Sequence, residues 1–246
     1  MGHLDSTHLM GKLISGNHLI LKLITLKPLI PDSWPDESLR FGIMIQVSDP
    51  SSNQLHVAAL YRVDNCLMIG DLQNHLLTRR TVVRPSAGLF WIAPNLNQED
   101  QQILAATIDT WLDVNENKIP YSVAHPGGVI FKDNVWVGNE PSQGLTCATF
   151  ISELFNELGF PFINIGTWQS RIGDDEWAKR ILDMISESMS PEHVEAQLNN
   201  IGQTTRVRPA DIAAAGHLVH QDMVDSLNFC EVDPLSTCIE KNLLNL

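Results

Sequence analysis

One fifteen-residue stretch, Pro141-Ser142-Gln143-Gly144-Leu145-Thr146-Cys147-Ala148-Thr149-Phe150-Ile151-Ser152-Glu153-Leu154-Phe155, puts a cysteine where it can act as a nucleophile. Thr146 is placed to cap a helix by accepting from the backbone N–H of Thr149 or a neighbour. Ile151, Leu154, Phe155 and Leu158 follow at helical spacing, and Gly159 is a natural stop. Cys147 then falls at the first helical position, where unsatisfied N–H groups and the positive end of the helix dipole favour a thiolate. With a histidine near, such a thiolate attacks carbonyl carbon. The same position also suits a small buried residue at a helix start, because free cysteine is among the most buried residue types.

A cysteine nucleophile needs a general base within hydrogen-bond reach and a third group to orient that base. The chain has nine histidines, so position selects better than presence. His56 opens the apolar run His56-Val57-Ala58-Ala59-Leu60-Tyr61, and a base on a strand is held by a rigid element. Beyond the Asp64-Asn65 turn the next strand carries Asp71, then Asn74 and His75, any of which could accept from the far ring nitrogen of His56. His125, in a loop with Pro126-Gly127-Gly128, is the rival base. Gln143 could offer an amide hydrogen to a developing oxyanion. His217 and His220 have no matching carboxylate pattern.

The elements that must position these residues follow from apolar runs and turn chemistry. Leu19 to Ile30 reads as a strand or two, and Arg40 to Val47 as another, ended by Asp49-Pro50-Ser51-Ser52-Asn53. His56–Val63 and Leu67–Leu77 form a hairpin across Asp64-Asn65. Thr81–Val83 and Leu89–Ile92 complete a β-rich first part. Asn97 caps a helix over Gln98–Val114, with Ile103, Leu104, Ile108, Trp111 and Leu112 on its apolar face. After the Cys147 helix, a helix over Asp174–Met189 turns Trp177, Ile181, Met184 and Ile185 inward. Ser190-Pro191 starts another, and Pro209-Ala210-Asp211 a short one. The pattern after Phe229 fits no one element. Strands first and helices later predict an α+β fold.

Composition narrows the function classes. The 246 residues carry 16 basic and 29 acidic side chains, for a net charge of −13. Nucleic acid as the main partner calls for a basic surface, and so does docking on anionic lipid. The four cysteines are scattered, with no C-x-x-C pair, and no H-E-x-x-H occurs, so neither a disulfide scaffold nor a metal centre is expected. The start lacks the pattern of a secretory signal, and the apolar run from His18 to Ile30 is too short to span a bilayer. The expectation is a protein cytoplasmic at synthesis, with signal-less secretion compatible. No cofactor is called for.

His56-Val57-Ala58-Ala59-Leu60-Tyr61, an intervening helix, a Tyr121 loop and then Leu145-Thr146-Cys147-Ala148-Thr149-Phe150-Ile151 resemble the circularly permuted papain-like hydrolases of the NlpC-type amidase superfamily. In that branch, which includes lecithin-retinol-acyltransferase-like proteins, the histidine strand precedes the cysteine helix. Val207-Arg208-Pro209-Ala210-Asp211-Ile212 is similar to a short Pro-x-Asp element of permuted members. The resemblance spans roughly Phe41 to Ile212. It implies one permuted papain-like domain over residues 1–246, with an antiparallel sheet against the cysteine helix and residues 174–246 as a helical extension. It also implies Cys147 as nucleophile, His56 as base and Asp71 as third residue, with His75 as a substitute. The substrate would be a peptide or other acyl compound, an amide ahead of an ester or thioester. A binding module on the same fold, with Cys147 as a core residue, is the competing class.

Overall fold

The computed structural model describes residues 26–125, 130–160 and 162–245. The apolar run from Leu19 lies mostly outside them, and its end forms β1 (Lys27–Leu29). Then come β2 (Phe41–Asp49), β3 (Gln54–Val63), β4 (Cys66–Asn74), β5 (Leu77–Val82) and β6 (Ser86–Ile92). They build one antiparallel sheet in the order β1-β6-β2-β3-β4-β5. A small hairpin of β7 (Phe131–Lys132) and β8 (Val135–Trp136) stands apart from it. Six α-helices occur among the described residues: α1 (Gln98–Val114), α2 (Cys147–Glu157), α3 (Asp174–Ile185), α4 (Pro191–Asn200), α5 (Pro209–Leu218) and α6 (Phe229–Leu244). The fold is α+β. None of these helices is long and apolar enough to cross a membrane.

The central strands are covered on both faces. Ile43, Ile45, Val57 and Ala59 join the core shared with the helices, while Met44, Ala58 and Leu60 join a second cluster with Leu29, Leu39 and Trp91. Two buried faces explain why β2 and β3 are near-continuous apolar runs rather than alternating ones. Asp64 and Asn65 both take positive φ (46° and 66°), the left-handed pair that joins β3 tightly to β4. The cysteine helix α2 lies on β3 and β4, with Ile151, Leu154 and Phe155 buried and the Phe155 ring edge-on to Phe41 at 5.8 Å. Helix α5 packs on β2, β3 and β6, and α6 packs on α5.

Two expectations need correction, and one open stretch resolves. Leu67–Leu77 is not one strand: β4 stops at Asn74, Leu76 turns at φ 58°, and β5 returns through Thr81. Ile103 and Met184 are exposed, because the core-facing stripes of α1 and α3 are each narrower than their apolar content. The stretch after Phe229 is helix α6, which Pro234 interrupts in sequence but not in space. The Pro126-Gly127-Gly128 turn falls outside the described residues.

Gly144 fixes the approach of the cysteine loop to its neighbour. The Leu145 N–H donates to the Pro120 carbonyl at 2.9 Å, and the Ser122 N–H to the Leu145 carbonyl at 3.1 Å. A Cβ on Gly144 would sit 2.7 Å from the Pro120 oxygen and 2.9 Å from the Tyr121 carbonyl carbon. Backbone cannot swing aside as a side-chain tip can. Gly144→Ala is expected to cost about 2 kcal/mol, as overpacking does, and to push Cys147 out of line. A melting curve together with Cys147 alkylation rates will show both losses.

Candidate active site

Cys147 occupies the first turn of α2, under a capping box. The Thr146 side chain accepts from the Thr149 N–H at 3.1 Å, and the Thr149 hydroxyl accepts from the Thr146 N–H at 2.8 Å. Thr149 stands where Glu or Gln usually closes such a box. The backbone N–H groups of Cys147 and Ala148 have no acceptor among the described residues, as the first turn of a helix leaves them.

A split in the sheet brings His56 toward the sulfur. β3 extends back to Gln54 and β4 on to Asn74, yet their pairing ends at Ala59 opposite Gly70. The strands part there, so the Val57 N–H has no ladder partner on β4 and helps to hold the Cys147 thiol down. His56 faces into the gap. Its Nε2–H donates to Asp71 Oδ2 at 2.6 Å, which leaves Nδ1 free, and Cys147 lies near enough for the two groups to shift each other's titration. Asp71 is fully buried. It sits opposite Arg79 of β5, whose guanidinium forks onto it: Nε donates to Oδ1 at 3.1 Å and Nη2 to Oδ2.

The electrostatics favour a charge-separated pair. Burial pushes the His56 pKa down, but the Cys147 charge and the hydrogen bonds to Asp71 and Cys147 outweigh it and raise the value to about 10. Burial pushes the Cys147 thiol up, while the His56 charge and hydrogen bond and the Val57 N–H bring it below its ordinary value. Asp71 is destabilised as an anion by burial, yet His56 and Arg79 hold its carboxyl below the usual range. The three shifts agree on thiolate, imidazolium and carboxylate.

Cys147 and His56 open on a cleft of about 380 Å³. One side is amide-rich, with Gln46, Gln54, Gln73 and Asn74, and α3 supplies Ile181, Met184 and Ile185 on the other. Gln54 was missed in the sequence, where a glutamine two residues before a histidine carries no signal. It lines the cleft, and its Oε1 accepts from the Trp177 indole N–H at 2.9 Å, which holds the side chain in place. Tyr121 also lines the cleft. Burial and the nearby Cys147 charge push its phenol above the ordinary range, so it remains a neutral donor.

The other sequence candidates lie elsewhere. His75 clamps the Tyr121 segment: its Nδ1 accepts from the Tyr121 N–H at 3.2 Å while the His193 Nε2–H donates to the Tyr121 carbonyl at 2.7 Å. Burial and neighbouring His193 push the His75 pKa down to about 4, so it is a neutral prop rather than a partner of His56. His125 pairs through Nε2 with Glu153 of α2 at 3.0 Å and does not line the cleft. Gln143 accepts the N–H groups of Asn139 and Glu140 at 3.0 and 3.1 Å, so its carbonyl shapes the loop and the residue is absent from the cleft wall. Among the described residues no group of three or more His, Cys, Asp or Glu side chains forms a metal-binding cluster. No family model, curated protein or solved structure matches the chain.

Proposed function

We propose that the protein is a cysteine hydrolase of the permuted papain-like kind, acting on an amide or a related acyl bond. The observation that carries this reading is the relay Cys147–His56–Asp71 at the mouth of a cleft, with its sulfur on a helix N-terminus. In the proposed cycle the Cys147 thiolate adds to the substrate carbonyl carbon. The N–H groups of Cys147 and Ala148 take the developing oxyanion, with the Gln54 amide or the Tyr121 hydroxyl as a further donor. His56 then gives its Nδ1 proton to the leaving amine as the carbon–nitrogen bond breaks. Water enters, His56 takes a proton from it, and the thioester is hydrolysed to release the acid and restore the ion pair. Asp71 holds the imidazole ring and stays ionised throughout.

The test is thiol chemistry read by mass spectrometry. Iodoacetamide at pH 6 is expected to label Cys147 ahead of the exposed Cys66 and Cys230, although Cys147 is the more buried thiol. His56→Ala should slow that labelling by roughly tenfold or more, because the thiolate loses its counter-charge. Turnover needs thiolate and imidazolium together. Activity should therefore rise as Cys147 ionises below the usual thiol range and fall as His56 loses its proton near about pH 10. A Cys147 that labels no faster than Cys66, with or without His56, would return the residue to the core and leave the fold as a binding module.

A further inference from the structure

Arg79 has more to offer than its clamp on Asp71. Its Nε and Nη2 are committed to the carboxylate, while Nη1 makes no hydrogen bond among the described residues. The side chain is 29% exposed where its partner is 0%, so Arg79 is the accessible member of the pair. Arg79 is also part of the cleft wall, alongside His56 and Cys147. No Asp or Glu lines the cleft, although acidic residues outnumber basic ones 29 to 16 in the chain. Apart from the Cys147 sulfur, the other polar groups on the wall are amides, hydroxyls and the histidine, all suited to a neutral or anionic guest.

We propose that Arg79 is the specificity residue of this cleft, its Nη1 receiving a carboxylate that the substrate carries a few atoms from the bond attacked. This rests on the cysteine-hydrolase reading and names its substrate class: an acyl compound with a nearby acid group. The fork geometry is what lets one side chain serve both sides. A guanidinium has donors on two edges in one plane, so it can hold Asp71 with one edge and present the other. An ammonium concentrates its charge at one point, and Asp71 would draw it inward. The distance from the sulfur is bridged by the Cys147–His56–Asp71–Arg79 chain of contacts, so the recognised acid belongs to a neighbouring group of the substrate rather than to the scissile carbonyl.

The test compares charged and neutral alkylating probes of equal shape. N-iodoacetylglycine and N-iodoacetyl-γ-aminobutyrate are each paired with their primary amides. In every case the Cys147 sulfur forms a bond to the methylene carbon as iodide leaves, so the acid-to-amide rate ratio cancels the thiolate fraction. The wild-type ratio is expected to reach about tenfold for at least one pair, the scale of one charge-assisted hydrogen bond, and to fall as salt rises. Arg79→Gln should bring it close to one, and Arg79→Lys should cut it at least about threefold, the ammonium being drawn onto Asp71. Ratios near one for both pairs in the wild type would overturn the proposal. So would an unchanged ratio in either folded variant, which would assign the preference to the His56 imidazolium instead. Slow labelling by all four probes, indifferent to His56→Ala, would mark failure of the hydrolase reading and not of Arg79 alone.

Discussion

Cys147→Ala and His56→Ala are each expected to reduce kcat on activated acyl probes such as p-nitrophenyl esters by roughly a thousandfold or more, and the double variant to lose little beyond either. The reason is the geometry. A thiolate without its imidazolium has no proton to give the leaving group, and an imidazolium without its thiolate has nothing to activate. Two residues acting as one device are not additive. Asp71→Asn should be milder, about a hundredfold, because His56 keeps its place on β3, although the neutral amide no longer fixes its tautomer or matches the Arg79 fork. His75→Ala and His125→Ala separate the alternatives. His75 holds the Tyr121 backbone and His125 holds Glu153, so neither loss removes a proton donor from the sulfur. Loss of activity in His125→Ala comparable to that in His56→Ala would mean that the wrong base has been assigned. Double-mutant kinetics with single-turnover amplitudes are the measurement.

Asp211→Ala is expected to give the largest loss of stability from a single surface-remote change, about 3 kcal/mol, the scale of breaking a buried ion pair. For a chain of this size that lowers Tm by roughly 6 to 12 °C. Asp211 is fully buried and serves four partners. Arg171 forks onto it at 3.0 and 2.8 Å, the Trp168 indole donates at 3.1 Å, the Ser236 hydroxyl at 2.6 Å, and the Arg208 N–H at 2.8 Å. One carboxylate thus caps α5 and ties it to α6 and to the segment before α3. Alanine strands the Arg171 charge, though Asp233 at 2.9 Å keeps part of it paired and holds the cost to the lower end. Asp211→Asn retains acceptor and shape, so it should lose less than half as much. Thermal unfolding of both variants decides this; equal, small losses would show that the ion pair adds nothing.

Much of the site's local structure was legible in the sequence, because it depends on neighbours along the chain. Thr146 three residues before Thr149 makes a cap, and Asn97 and Ser190 cap their helices by the same short-range rule. Asp64-Asn65 makes a hairpin, since both residues tolerate positive φ. The α+β order and the placing of Cys147 at a helix start and His56 on a strand followed from the same kind of signal. What the sequence misplaced or left open was decided by forces acting across the fold. Met184 and Ile103 belong to apolar stripes by composition, yet the core needs only part of each stripe. His75 and His125 have the right chemistry for a base, and distant partners claim both: Tyr121 for one and Glu153 for the other. Nothing in the order of residues announces that β3 and β4 part after Ala59 and Gly70, or that the Val57 N–H, without a β4 partner, comes to act on a sulfur ninety residues on. Nor does it announce that Arg79 lies across a ladder from Asp71. The sequence alone determined which residues can ionise and where each element begins. The tertiary structure alone decided which of them meet, because strand pairing and helix docking bring together groups whose separation along the chain carries no signal of their contact.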